Sequence, residues 1–220
     1  MAVQPGNVFT SEKGRIELLL DQGIDLVQRK MIIGVSYMES NTNGCVEFPL
    51  AANFFTGLHA LEHLYEPPDG EPEVEDIEIE FMNYGGDLML SLAIYDRLMR
   101  SSVPINIYVY GPCESGGSLI LQAATRRYIS QNAAMMLHYG FTGDEGTSDP
   151  KRVQELARHH TRLMERLIDI YYSRCNHKRL TKKQLRDTIM RIESYFDAET
   201  CAKLGLADEI IKPTTRFRKK

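Results

Sequence analysis

The sequence predicts an α/β fold built on a parallel β-sheet. Apolar strands alternate with helical patterns through the first two thirds of the 220 residues, which calls for parallel strands joined by right-handed crossovers. Three consecutive strands also end in distinctive residues: the pair Gly85-Gly86, then Ser115, then His138. Parallel strands end at one edge of the sheet, where open α/β folds bind ligands. We therefore expect these residues to lie together.

Composition indicates one soluble globular domain. A hydrophobic content of 43% with 25% charged residues is ordinary for such proteins. The net charge of -4 argues against nucleic acid or an anionic membrane as the main partner, and no run approaches the roughly 18 apolar residues of a membrane span. The four cysteines lack paired or metal-binding spacing. We expect a cytoplasmic protein without a metal or cofactor. No ATP binding is expected, since no G-x-x-x-x-G-K-[ST] motif is present.

The sequence pattern predicts the secondary structure of the N-terminal quarter less clearly than that of the rest of the chain. Residues 1–20 are predicted to be a mobile arm preceding a single domain over residues 21–212, although residues 15–26 fit either a strand or a helix. Residues 30–37 are rich in β-formers and predict the first firm strand. Apolar residues at helical spacing predict a helix over 51–65, which an acidic proline-bearing loop follows.

The middle of the chain carries the clearest alternation. The segment D-I-E-I-E-F-M predicts a strand, and the residues after Gly86 predict a helix that begins at Asp87. P-I-N-I-Y-V-Y is the next strand, and residues 116–124 form a helix that is apolar on most sides. Y-I-S-Q-N and A-A-M-M-L-H are the strands that follow.

The C-terminal third is mainly helical. A helix over about 151–174 exceeds the usual length of about 11–12 residues, so we expect it to project from the fold. Thr181 is placed to cap a further helix, and Asp197 a short one that ends at Gly205. A-D-E-I-I-K predicts a last strand, and residues 213–220 form a basic tail.

Ser115 and His138 are the candidate catalytic side chains. A serine at the start of a helix is ordinarily an N-cap, but the helix after Ser115 is almost wholly apolar and begins with two glycines. The backbone N–H groups of Gly86 and Gly116 could face one developing negative charge, as in an oxyanion hole. His59 and His63 lie four residues apart without a third ligand. These two and His159, His160 and His177 are interpreted as surface residues.

Four segments of this sequence resemble the Clp protease family, represented by its proteolytic subunit ClpP. F-M-N-Y-G-G-D and the I-Y-D that follows resemble the family's I-N-S-P-G-G segment, and G-P-C-E-S-G-G resembles its G-x-A-A-S-M-G. M-M-L-H-Y-G resembles M-I-H-Q-P, and Y-F-D-A-E-T-C-A-K-L-G-L resembles F-L-S-A-E-E-A-x-E-Y-G-L. The segments occur in the family's order over roughly residues 22–212. The resemblance implies a ClpP/crotonase-like repeated β-β-α superhelix with the long helix as a protruding handle.

The resemblance also implies roles for individual residues. Ser115 becomes the nucleophile, His138 the general base, and the N–H groups of Gly86 and Gly116 the oxyanion hole. Glu193 falls where the family usually has the aspartate that completes its triad, with Asp197 and Asp187 as alternatives. Tyr84 replaces the family's proline, and Glu114 places a carboxylate beside the nucleophile.

The implied function is that of a serine endopeptidase in a self-compartmentalised ring. The family forms stacked heptameric rings, a tetradecamer, into which a separate Clp-type ATPase unfoldase feeds polypeptides. Two alternatives remain from the sequence. One is a catalytically inactive structural subunit of such a ring, impaired by Glu114 and the Asp-to-Glu exchange. The other is a crotonase-like acyl-CoA enzyme, which shares the superhelix and a two-amide oxyanion hole.

Overall fold

The computed structural model describes residues 12–34, 44–65, 75–140, 149–189 and 191–212. The helices are α1 (Glu12–Gln22), α2 (Phe48–His63), α3 (Leu88–Met99), α4 (Gly116–Leu121), α5 (Pro150–Arg174), α6 (Lys182–Ile189) and α7 (Ala198–Leu204). The strands are β1 (Ile24–Asp25), β2 (Lys30–Ile33), β3 (Cys45–Val46), β4 (Ile77–Asn83), β5 (Gly85–Gly86), β6 (Ile105–Glu114), β7 (Arg126–Ser130), β8 (Ala134–Leu137), β9 (Ser194–Asp197) and β10 (Glu209–Ile211).

Six of the eight strands of the main sheet follow the order β1-β2-β4-β6-β7-β10, and all pairs along this order except β1–β2 are parallel. The predicted parallel sheet is therefore confirmed. Helices α3 and α4 connect β4 to β6 and β6 to β7, so each strand is followed by a crossover that returns the chain to the same sheet edge.

Strand β6 is the element that leads from the main sheet to the site. Its first half pairs with β7 and its last three residues pair with β8 instead. Strand β8 in turn pairs with β9 in the antiparallel direction. The sheet thus branches along β6, and β8 and β9 form the second branch beside the residues that follow Glu114.

The core lies between this sheet and helices α2, α3, α4 and α5. Strand β4 alternates buried and half-buried residues, as its sequence predicts, and every residue of α4 is buried. Helix α4 is therefore held on all sides, which fixes the position of the residue that precedes it. The burial predicted for this helix is confirmed.

Helix α1 resolves the ambiguity near the N-terminus in favour of a helix. Within the predicted arm over residues 1–20, residues 12–20 belong to this helix, while residues 1–11 lie outside the described residues. Gly23, with φ +68°, ends α1 and leads into β1. Helical spacing alone did not decide this segment because few of its side chains are buried. Residues 35–37 of the predicted first strand and the tail over 213–220 also lie outside the described residues.

Helix α5 is the predicted long helix, and its two halves differ. Asp149 caps its N-terminus by accepting a hydrogen bond from Lys151 N at 3.0 Å. Its buried residues begin only at His160 and continue through Met164, Leu167 and Tyr171. The second half therefore anchors α5 in the core, and the first half carries mostly exposed side chains.

Candidate active site

The nucleophile candidate stands in a sharp turn between β6 and α4. Ser115 has φ +49° and ψ -122°, a backbone conformation that a residue with a side chain rarely adopts. Such a conformation costs about 1–3 kcal/mol and is retained only where surrounding structure enforces it. Here Ser115 N donates to Met136 O on β8 at 2.8 Å, and the buried helix α4 begins at the next residue. The turn projects the serine side chain from the sheet edge.

The Ser115 side chain lies against His138. Ser115 Oγ is 2.6 Å from His138 Nε2, and the hydroxyl makes no capping bond to helix α4. This geometry differs from an ordinary N-cap, the alternative interpretation of a serine at this position. The structure therefore brings these two predicted residues within hydrogen-bond distance, as a nucleophile and its base require.

The half-buried imidazole of His138 is biased toward its neutral form. Burial lowers its pKa below the ordinary histidine value, and the negative charge of Glu193 partly opposes this effect. At neutral pH the ring is consequently neutral, with a lone pair available to accept a proton from a hydroxyl.

A buried chain of hydroxyls supports the nucleophile turn from behind. Ser118 Oγ donates to the carbonyl of Ser115 at 2.6 Å, and the hydroxyl of Tyr171 is 2.6 Å from the same Oγ. Because the single Ser118 proton is used on the carbonyl, Tyr171 is the donor in the second bond. Sequence reasoning gave neither residue a role at the site, since their pairing spans 53 positions.

The glycine pair packs directly against this turn. Gly85 has φ +88°, and a Cβ on it would lie 2.5 Å from Ser115 Cβ. Its N–H donates to the buried Asn83 Oδ1 at 2.8 Å. Gly86 has φ +144°, and a Cβ there would meet the backbone of Val46 at 2.5 Å. Close backbone approach thus requires glycine at both positions.

The amides of Gly86 and Gly116 are neighbours. Gly116 is the first residue of α4, so its N–H has no acceptor within the helix. A Cβ on Gly116 would lie 3.7 Å from Gly86 N. Asp87, the residue after strand β5, donates its N–H to Val46 O on strand β3 at 2.9 Å. The two predicted amides therefore lie together at the helix N-terminus, where the backbone favours negative charge.

Glu193 is less firmly held than the serine and the histidine. The antiparallel register of β8 and β9 pairs Leu137 with Ser194, and one further step places His138 opposite Glu193. The exposed carboxylate accepts a hydrogen bond from Tyr195 Oη at 3.1 Å. Within the described residues no hydrogen bond joins it to the imidazole, and its influence on His138 is that of a nearby charge.

The alternatives to Glu193 are engaged elsewhere. Asp197 lies opposite Ala134, four pairs along the strand from His138, and its Oδ1 caps α7 by accepting from Thr200 N at 2.8 Å. Asp187 on α6 forms an ion pair with Lys183 at 2.6 Å. Of the three carboxylates, Glu193 is the one that the strand register brings to His138.

Glu114 adds a second carboxylate to the same face. Glu114 pairs with Met136, which pairs with Tyr195, so the three side chains form one row across β6, β8 and β9. Partial burial, followed by the charge of Glu193, raises the pKa of Glu114. The edge next to His138 is consequently acidic.

A cavity of about 800 Å³ opens beside the serine. Ser115, His138 and the glycine pair line one end, and the inner face of α5 lines the other. His160 is part of this lining and only 6% exposed. Its predicted surface position is therefore wrong, because the stripe of α5 that contacts the core includes this residue. The exposed His59, His63, His159 and His177 agree with their prediction.

The described residues contain no group of three or more side chains that could hold a metal ion. All four cysteines lie within the described ranges, and none is in a disulfide. None of the described helices combines the length and the apolar character that crossing a membrane requires.

A serine within hydrogen-bond distance of a histidine at the edge of an α/β sheet is an arrangement that serine peptidases use. Residues 51–214 match the family model described as Clp protease, and the chain belongs to this family. The predicted resemblance, the superhelical fold class and the serine-type endopeptidase class are confirmed. This assignment excludes the crotonase-like alternative.

Individual relatives agree with the family assignment. The chain is 29% identical over 152 residues to the ATP-dependent Clp protease proteolytic subunit of Deinococcus radiodurans, covering 68% of this chain and 72% of the relative. It is 27% identical over 192 residues to proteolytic subunit 1 of Rhodopirellula baltica, covering 85% and 79%. A ClpP1 mutant from Listeria monocytogenes has a TM-score of 0.67 over 86% of this chain and 94% of that chain, at 18% identity. This last similarity shows the fold.

Proposed function

We propose that this protein is a Clp-type serine endopeptidase that cleaves unfolded polypeptides with Ser115 as nucleophile and His138 as general base. The observation that carries the proposal is the 2.6 Å distance between Ser115 Oγ and His138 Nε2. His138 accepts the hydroxyl proton as Oγ attacks the peptide carbonyl, and returns it to the leaving amine. Water, deprotonated by His138, then hydrolyses the acyl-enzyme and regenerates Ser115.

Gly86 and Gly116 supply the oxyanion hole in this proposal. Their adjacent N–H groups are placed to stabilise the negative charge that develops on the carbonyl oxygen. Because the buried helix α4 and the packing of Gly86 on Val46 hold both amides in place, little reorganisation is needed during the reaction. One such donor typically contributes about 10²–10³ in rate.

Glu193 is the third member of the proposed triad. Its charge favours the protonated imidazole that forms when Ser115 is deprotonated, which is the direction of its effect on the pKa of His138. Its register position opposite His138 supports the role. The hydrogen bond that would orient the ring requires a movement of the exposed Glu193 side chain toward it.

The substrate would bind as an added strand beside the glycine pair. Strand β5 lies next to the serine, and among the described strands it pairs with the two-residue strand β3 alone. Binding through the backbone in this way is independent of sequence, which suits a peptidase that takes unfolded chains.

We further propose that the subunits form heptameric rings that stack as a tetradecamer and work with a Clp-type ATPase in the cytoplasm. The relatives' names support the ATPase, since they are subunits of an ATP-dependent protease. The exposed first half of α5 supports stacking, since a helix that projects from the fold offers a contact for another ring. The absence of a disulfide among the four cysteines, all of which lie in the described ranges, suits a reducing compartment.

A catalytically inactive ring subunit is the second candidate. Two observations favour it: Glu114 stands beside the nucleophile, and the Glu193 carboxylate is bonded to Tyr195. A serine that is not activated would then remain at the site without turnover.

Fluorophosphonate labelling followed by intact-mass spectrometry separates the two candidates. We expect one adduct on the wild-type protein, none on Ser115→Ala, and hydrolysis of an unfolded protein by the wild type only. The inactive-subunit proposal expects neither labelling nor hydrolysis by assembled wild-type rings. Labelling of Ser115→Ala would show that another residue reacts and would contradict the assignment of the nucleophile.

A further inference from the structure

The buried residues of α5 that line the cavity beside Ser115 are apolar apart from His160 and the Tyr171 hydroxyl, and the exposed Arg152 and His159 also belong to its lining. Its lining includes the apolar side chains Leu88, Met89, Leu137, Leu163, Met164 and Leu167. His160 belongs to the same lining and is 6% exposed. A buried imidazole within an apolar lining is unusual, because burial of a polar group is unfavourable unless that group is hydrogen-bonded.

The ring of His160 is held in one place by its neighbours. It packs edge-on against the ring of Tyr139, with centroids 4.6 Å apart and an interplanar angle of 74°. Its Nε2 faces Gly140, where a Cβ would be 3.8 Å away. Within the described part of the chain, neither ring nitrogen forms a hydrogen bond. The imidazole therefore retains hydrogen-bonding capacity inside the cavity.

The imidazole is also biased toward its neutral form. Burial lowers the pKa of His160, and the neighbouring His159 contributes in the same direction. A neutral imidazole carries one N–H donor and one lone-pair acceptor. A primary amide, which has both a carbonyl acceptor and N–H donors, is an uncharged side chain that can pair with either ring nitrogen.

We infer that His160 determines specificity by selecting glutamine or asparagine as the acyl-side residue, the residue whose carbonyl Ser115 attacks. The inference rests on the proposed peptidase function and adds a substrate class to it. The apolar walls would contact the methylene groups of that side chain, and His160 would hydrogen-bond its amide. A site that binds a polar group in this way discriminates against analogues that lack the group, because its own polar atoms are then left unpaired.

The test uses peptides that differ only at the acyl-side residue, which is Gln, Asn, Met or Leu. We expect wild-type kcat/KM to be at least about fivefold higher for Gln than for Met, a residue of similar length. His160→Leu should reverse or abolish this ratio by raising activity on Met and Leu and lowering it on Gln. His160→Gln, which retains a donor and an acceptor, should preserve the preference for amides. His59→Leu, at an exposed position on α2 outside the cavity, is the matched control and should leave the ratio unchanged.

Each outcome separates this inference from the proposed function. Hydrolysis by wild type with a preference for Met or Leu over Gln overturns the inference and leaves the peptidase function intact. The inference is likewise overturned if His160→Leu is active with an unchanged ratio, since the histidine would then serve packing alone. If His160→Leu does not fold, the wild-type ratio and His160→Gln decide. Failure of the wild type to label at Ser115 or to cleave any peptide overturns the proposed function itself, and the inference with it.

Discussion

The two sides of the candidate site are built very differently. On one side, Ser115 and its turn are enclosed by the buried helix α4, by a bond to β8 and by the hydroxyls of Ser118 and Tyr171. On the other side, Glu193 precedes the short strand β9, is exposed, and bonds to the exposed Tyr195. The side that carries Ser115, the nucleophile side, is part of the core. The side that carries Glu193, the acid side, lies at the protein surface.

The difference indicates which parts of the chemistry the folded chain already provides. Burial makes the nucleophile geometry costly to disturb, because any shift of Ser115 displaces the core around it. The exposed carboxylate is free to change rotamer at little cost. We therefore expect substitutions on the nucleophile side to have large effects and those on the acid side to have smaller ones.

The largest effect is expected for Gly85→Ala. The new Cβ would lie 2.5 Å from Ser115 Cβ, and alanine is strained at φ +88°. A displacement of the nucleophile by about 1 Å costs about 10² in rate, so kcat should fall by at least that factor, as measured by peptide hydrolysis. The free energy of unfolding should fall by about 1–3 kcal/mol.

Gly111→Ala on the neighbouring strand, β6, is the matched control for Gly85→Ala. Its new Cβ would meet the flexible side chain of Met82 at 3.1 Å, and its φ is not positive. It should stay within about twofold of wild-type activity. If both variants lose activity equally, the enclosure of Ser115 does not explain why the serine side of the site is more sensitive to substitution than the Glu193 side.

A smaller effect is expected for Glu193→Gln. The exchange removes a charge that acts on His138 without a hydrogen bond in this structure, so kcat should fall by about 10–10², less than for a directly bonded triad acid. Glu199→Gln, at an exposed position at the start of α7, is the control and should retain full activity. A loss below twofold in Glu193→Gln would remove Glu193 from the triad.

The pH dependence of kcat/KM tests whether the charge of Glu193 acts on His138. The acid limb of kcat/KM follows protonation of the base in the free enzyme. Burial lowers the pKa of His138 and the charge of Glu193 raises it. The limb of the wild type should therefore lie below the ordinary histidine value, and Glu193→Gln should move it to still lower pH. A limb that stays in place or moves upward would show that Glu193 does not act on His138.

The smallest effect on activity is expected for Asp197→Ala. Asp197 caps α7, so its removal should lower the melting temperature by about 2–4 °C and leave peptide hydrolysis unchanged. The hydrogen bonds from Thr200 lower the pKa of Asp197. The stability difference from wild type should consequently be complete at neutral pH and disappear as the pH falls through that pKa. A loss of activity comparable to that of Glu193→Gln would make Asp197 a candidate for the third triad member.

The sequence by itself determined the parts of this protein that depend on local pattern. Alternating residues in β4, the glycines beside Ser115, the start of α3 next to Asp87 and the cap at Asp197 act over a few positions. Strand ends of a parallel sheet meet at one edge, so the approach of Ser115 to His138 also followed from local signals. The family motifs extended the same local information to Glu193.

Only the tertiary structure decided the features that depend on distant pairing. Strand β9 was not predicted, because its four residues have no alternating pattern strong enough to specify it, and its register with β8 is what brings Glu193 opposite His138. The burial of His160 and the bond from Tyr171 to Ser118 depend on where α5 crosses the sheet. The composition of a charged helix indicates a solvated surface, and the stripe that contacts the core is chosen by packing.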